Sequence, residues 1–247
     1  MTALRLQRVT RRFGGVLAVH DVSLEVPVGI RLAIIGPNGA GKTTLFNLVS
    51  GELLPTTGRI EALGTDITRM QPHHRTAIGL GRTYQLTNLF PRLTVLESIL
   101  LAVQALERTK YVALRTWRAY PHLFERARDT LARFALWDVR NVPVAELSYG
   151  EQRELEIALA LGTRPRVLLL DEPTAGLAPA ETQRVLALIR DLPRTITVLL
   201  IEHDMAVVFG VCDHIVVLDH GEVVATGTPE EVARDPRVQQ VYLGTRG

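Results

Sequence analysis

The chain has 247 residues, 47% of them apolar and 22% charged, and a formal net charge of +2; that is enough for one large domain with a real core, or a core carrying a substantial insertion. Its charges are interspersed, without the sustained basic block of a nucleic-acid-binding face. The single cysteine, Cys212, excludes an intrachain disulfide and reads as a small packing residue compatible with a reducing cytoplasm, while Met1 to Arg12 lacks a signal-peptide core and no segment approaches the ~20 apolar residues that cross a bilayer.

Leu4 to Val9 and Val22 to Val26 alternate apolar and polar residues, which predicts antiparallel strands ahead of the apolar run Ile30 to Ile35. Between them stands Arg11-Arg12-Phe13-Gly14-Gly15-Val16. Two accounts fit Phe13 equally: an aromatic that stacks on an adenine face, or a buried phenylalanine at a strand end.

The run into Ile35 is followed by Gly36-Pro37-Asn38-Gly39-Ala40-Gly41-Lys42-Thr43-Thr44 and a helix expected over Leu45 to Ser50. This is the spacing of a phosphate-binding loop. Its glycines let successive backbone N–H groups turn inward on phosphate oxygens, and the helix behind adds its positive end. Lys42 is placed to reach the β- and γ-phosphates of a nucleotide such as ATP, and the Thr43 hydroxyl to ligate a bridging Mg²⁺. Thr44 is expected to start the helix and to serve at most as its cap.

Pro55 to Gly58 reads as a turn, Arg59 to Leu63 as a short strand, Gly64 to Asp66 as another turn and Asp66 to Arg75 as a short helix. Gly79 to Tyr84 then leads to Gln85, placed to touch Mg²⁺ or an attacking water, although a glutamine at a strand end ordinarily has no such role. From Thr94 the apolar residues Val95, Ile99, Leu100 and Val103 fall at helical spacing, with further helices expected over Ala105 to Arg118 and Leu123 to Phe134. Asn141-Val142-Pro143 ends this helical section.

Ser148 precedes a helical run, Arg153 to Leu161, with Glu151 three residues later, which is a capping box. That explains both residues without a ligand; Ser148 and Gly150 at an exposed helix N-terminus equally form a second anion site. After Pro165, Val167 to Leu170 is the unbroken apolar run of a buried parallel strand. It ends in Asp171-Glu172, where ligands of α/β sheets bind. Asp171 is suited to hold Mg²⁺ through water, and Glu172 to orient and deprotonate the attacking water. A helix over Ala180 to Leu192 and a strand over Thr195 to Ile201 follow, and the strand runs into His203, which either hydrogen-bonds the γ-phosphate or serves structure alone. His214 to Leu218, a turn at Asp219-His220-Gly221 and Glu222 to Ala225 predict a closing hairpin, with a helix after Thr228-Pro229.

Together these elements resemble an ATP-binding cassette subunit of a transporter, essentially end to end. The resemblance implies an α/β P-loop NTPase (RecA-like) core with an N-terminal antiparallel β-subdomain, over about 1–85 and 163–247, and an inserted helical subdomain over 86–162. It makes Leu147 to Gln152 the signature motif, with Ser148, Gly150 and Glu151 on nucleotide. It makes Gln85 the Q-loop residue and a metal ligand, Ala175 to Ala178 the D-loop, His203 the switch histidine and Phe13 the adenine-stacking aromatic. Two departures are visible: Tyr149 replaces the commonest signature glycine, and Gly176-Leu177-Ala178 lacks the usual D-loop aspartate.

Phe13-Gly14-Gly15, Gly81 to Gln85, Leu147 to Gly150, Ala175-Gly176-Leu177, Glu202 to Met205 and the ending Asp235 to Gly244 are similar to the ATPase subunits of branched-chain amino acid importers. Importers of urea, amides and other amino acids share these habits. The resemblance implies a nucleotide sandwich with a second ATP-binding subunit, a copy or a paralogue, in which Ser148 and Gly150 face the γ-phosphate held by Lys42 of the other subunit. It also implies two integral membrane permease subunits docking near Leu86 to Leu93, a periplasmic or extracellular substrate-binding protein, and a peripheral place on the cytoplasmic face of the inner membrane. A homodimeric ATPase of the lipopolysaccharide-export type is the nearest rival. A non-transport cassette protein is disfavoured by the absence of a long coiled coil or a second cassette, and a GTPase by the absence of an N-K-x-D element.

Overall fold

The computed structural model describes residues 1–83, 89–107 and 120–243. The chain opens with a long antiparallel hairpin, β1 (Thr2–Phe13) and β2 (Val16–Pro27), in which β1 also pairs with β4 (Thr57–Ala62), flanked by the short β5 (Thr65–Asp66). A second sheet holds β3 (Arg31–Ile35), β6 (Leu80–Arg82), β7 (Val167–Asp171), β8 (Thr197–Ile201), β9 (His214–Asp219) and β10 (Glu222–Gly227), in the order β10-β9-β3-β8-β7-β6. Its pairings are parallel except at the β9–β10 hairpin.

Burial on both faces explains why the central strands read as unbroken apolar runs. Leu32 and Ile34 of β3, Leu169 of β7, Leu199 and Ile201 of β8 and Val216 of β9 face a core shared with the first sheet. The helix α1 (Lys42–Ser50) lies in that core through Leu45, Phe46, Leu48 and Val49. The alternate residues Ala33, Ile35, Leu168, Leu170, Val198, Leu200, Ile215 and Val217 face the other core. Helices α3 (Val95–Gln104), α4 (Pro121–Arg133), α5 (Tyr149–Gly162), α6 (Pro179–Arg190) and α7 (Met205–Val211) build that second core. The short α2 (Pro72–Ile78) precedes β6, and α8 (Pro229–Arg234) and α9 (Pro236–Leu243) close the chain.

Several sequence expectations need correction. Asp66 to Arg75 is not one helix: Asp66 accepts the Thr68 N–H in a tight turn, and the helix waits for Pro72 at its first position. Ala105 caps the end of α3, so no helix starts there, and the rest of the helix expected to Arg118 falls outside the described residues from 108 onward. The helix α7 was not expected; Asp204 caps it by accepting from the Ala206 N–H at 2.8 Å.

Two polar side chains are buried within these layers. Arg75 donates to the carbonyls of Leu48 and Val49 at the end of α1 and to that of Met70, and burial lowers its guanidinium pKa to about 10. Cys212, at the end of α7, is packed in the second core, and burial pushes its thiol up to about 12. Among the described residues no helix is long and apolar enough to cross a membrane.

Candidate functional site

The loop Gly36–Gly41 leaves β3 with a left-handed backbone at Gly39 and Gly41, φ 83° and 97°. Gly41 also fits where no side chain could, since a Cβ there would collide with the carbonyl oxygen of Ala18 in β2, and one at Gly36 with that of Leu218 in β9. The loop is thereby wedged between the hairpin and the sheet. Ala40 is buried beneath it, while Pro37 is half-buried and Asn38 and Gly39 are exposed.

The helix α1 begins at Lys42, three residues earlier than expected, and its N-cap is Gly41, with no side-chain cap. Thr44 is therefore the third residue of the helix, neither its start nor its cap. With no side-chain cap among the described residues, the first turn offers its N–H groups to an anion. Lys42 donates its ammonium to the carbonyls of Gly36 and Pro37, at 2.7 and 2.9 Å. Burial lowers its pKa, opposed by the nearby charges of Glu172 and Asp171. The Thr43 side chain is exposed beside it.

The parallel register aligns Asp171 with Ile201, and Ile201 with Ile34, so β3, β7 and β8 deliver their C-terminal ends side by side. Asp171 is pushed up in pKa by burial, against the attraction of Arg82, whose Nη2 lies 3.3 Å from its carboxylate. Glu172 has a φ of 47°, a left-handed conformation that is unusual for a glutamate and costs on the order of 1–3 kcal/mol. Its N–H still bonds Ile201 O, and its exposed carboxylate stands 3.5 Å from His203 Nδ1. The structure thus brings Lys42, Asp171, Glu172 and His203 to one end of the sheet.

Ser148, Gly150 and Glu151 sit at the first turn of α5. Ser148 and Glu151 form the reciprocal capping box, with the Ser148 hydroxyl donating to Glu151 Oε2 at 2.7 Å. Gly150 is buried against Glu181 of α6, where a Cβ would meet that carboxyl group. Among the described residues, the side-chain hydrogen bonds of Ser148 remain within its own cap. Phe13 lies 42% exposed at the hairpin end, which rules out the buried-phenylalanine account. Gln85 lies outside the described residues.

Three residues to which the sequence reading assigns no role support this site. Arg82 also donates to Asn47 Oδ1 and Ser50 Oγ of α1, at 2.7 and 2.8 Å, and pairs with Glu52. Glu202, buried at the end of β8, accepts from the N–H and hydroxyl of Thr174, and so holds the loop after Glu172. Tyr149 bonds the same loop at Ala175 O. Each was present in a run singled out by resemblance, but its partner lies far away in sequence.

The donor set suits a hard divalent cation: a hydroxyl at Thr43 and a carboxylate at Asp171, leaving the remaining positions to phosphate and water, which is how Mg²⁺ is commonly held. The glycine-lined loop and free helix N-terminus suit a polyphosphate.

Residues 19–175 match the ABC transporter family, and residues 222–247 match the branched-chain amino acid ATP-binding cassette transporter family. The chain is 42% identical to the high-affinity branched-chain amino acid transport ATP-binding protein BraF of Pseudomonas aeruginosa, over 98% of this chain and 97% of that one. It is 35% identical to the lipopolysaccharide export system ATP-binding protein LptB of Acidithiobacillus ferridurans, over 98% and 96%. The crystal structure of the ADP conformation of MJ1267, an ATP-binding cassette of an ABC transporter, superposes with a TM-score of 0.87 at 32% identity, covering 99% of both chains. On this evidence the chain belongs to the ABC transporter family, as one of its ATP-binding cassettes.

Proposed function

We propose that this chain hydrolyses ATP to power import of branched-chain or other hydrophobic amino acids through separate membrane subunits. The observation that carries the reading is the convergence of Lys42, Asp171, Glu172 and His203 at the ends of β3, β7 and β8, on a chain whose C-terminal residues match the branched-chain transporter family. That match, with the higher identity to BraF, favours import over the lipopolysaccharide-export alternative.

In this reading Lys42 exchanges its two carbonyl partners for phosphate oxygens, and the N–H groups of the loop and of the first turn of α1 bind the rest of the triphosphate. Thr43 and Asp171, with Gln85, would hold Mg²⁺, which supplies charge neutralisation on the phosphates. Glu172 accepts the proton of the attacking water, and His203 orients the γ-phosphate from the neighbouring strand end. Ser148, Gly150 and Glu151 serve the nucleotide of a second cassette, copy or paralogue, in a sandwich at the cytoplasmic face of the membrane. Two permease subunits and a substrate-binding protein complete the transporter.

The test is uptake of labelled leucine, valine, isoleucine or phenylalanine by the assembled transporter in proteoliposomes. Lys42→Ala should abolish both ATP turnover and uptake. Normal turnover by that variant would refute the site, and turnover by the wild type without uptake of any of these labelled amino acids would refute the substrate class.

A further inference from the structure

The hairpin end that carries Phe13 is anchored to the phosphate loop, because β2 presses the Ala18 carbonyl against Gly41 and then pairs Val16 with Phe13. Two residues before Phe13 on the same strand, the Arg11 guanidinium carbon lies 4.4 Å from the centre of the Phe13 ring. Arg11 is not a loose surface side chain. Its Nη1 donates to the Leu54 carbonyl at 3.0 Å, just beyond α1, and its backbone pairs with Val19. Its Nε is buried, and among the described residues it has no hydrogen-bond acceptor, as fits a guanidinium laid against an aromatic face.

A phenyl ring has two faces, and Arg11 covers one of them. With Phe13 still 42% exposed, the face opposite Arg11 is the one a planar partner would take. We infer that Arg11 is a positioning residue for adenine: it fixes the Phe13 ring from behind, so that the base completes a three-layer stack of guanidinium, phenyl ring and purine. The inference rests on the reading of Phe13 as the adenine platform and adds a residue to it. Its physical basis is twofold. A cation against an aromatic face contributes about 0.5–1 kcal/mol at an exposed site, and a ring already held in place loses less freedom when the base arrives. The effect belongs to the base and leaves phosphate binding alone.

The experiment measures the affinity of the full chain for Mg²⁺-ATP and for Mg²⁺-tripolyphosphate by calorimetry. Arg11→Ala should weaken ATP binding about two- to fivefold and leave tripolyphosphate binding unchanged, and Arg11→Lys should recover part of the loss. Phe13→Ala should weaken ATP binding as well, and adding Arg11→Ala to it should cost nothing more. An Arg11→Ala variant that binds ATP as tightly as the wild type, or more tightly, overturns the inference while Phe13→Ala still weakens binding. So does an equal loss for both ligands, which would assign Arg11 to the phosphates or to general stability. If Phe13→Ala leaves ATP binding intact, the platform reading falls, and the inference with it.

Discussion

The hydroxyl of Tyr149 donates to the carbonyl oxygen of Ala175 at 3.1 Å, and the Ala175 N–H in turn donates to the carbonyl of Glu172. Two hydrogen bonds therefore connect the first turn of α5 to the backbone of the proposed base. Tyr149→Phe removes only the first of them, worth about 1 kcal/mol. Turnover of the assembled transporter should fall about fivefold, with ATP affinity of the isolated chain unchanged. Steady-state kinetics and calorimetry check the two halves of that statement.

Glu172→Gln keeps the size of the side chain and removes its basicity. Hydrolysis should fall by about 10²- to 10⁴-fold while ATP still binds. The mass of this variant in solution, with and without Mg²⁺-ATP, then reports pairing. A shift to dimer is expected if the chain pairs with itself, and an ATP-bound monomer if its partner is a paralogue or the membrane subunits are required.

Arg82 and Asp171 are both largely buried, so deleting the cation leaves a carboxylate with lost compensation. Arg82→Ala should destabilise the chain by about 3 kcal/mol, lowering its melting temperature by roughly 6–12 °C. Arg82→Lys should fall in between, because an ammonium cannot serve Asn47, Ser50 and Asp171 with one planar fork. Thermal unfolding followed by circular dichroism reads both.

Glu156, in the middle of α5, is buried, with Arg153 on one carboxylate oxygen and, among the described residues, no hydrogen-bond partner on the other, and burial raises its pKa above the ordinary 4.5. The folded chain thus holds this proton more tightly than the unfolded chain. The stability that follows is complete below 4.5 and is lost as pH rises through the folded value. Glu156→Gln removes the titration, so its melting temperature should gain on that of the wild type as pH rises from the ordinary 4.5 towards neutral. Melts across that range check the sign.

What was legible in the sequence was local. The glycine spacing before Lys42, the apolar runs of β3, β7 and β8 and the capping box at Ser148 each carry their cause within a few residues. The boundaries failed where a competing local signal was overlooked, as with the Asp66–Thr68 turn and Pro72. The helix α7 could have been found from Asp204 and the apolar spacing of Val207, Val208 and Val211. The roles of Arg82 and Glu202 could not. Arg82 meets Asp171 across 89 residues and Glu202 meets Thr174 across 28, so each reads as one more charged residue until the sheet brings the pair together.

The burial of Cys212 bears on how this protein can be studied. Its thiol is shielded and holds its proton well above neutral pH, so it resists alkylating reagents in the native chain. A cysteine introduced on the exposed hairpin end, or beside Ser148, would then be the one thiol to take a spin label or fluorophore. Distances between labelled cassettes could be followed through a turnover cycle without first replacing the native residue.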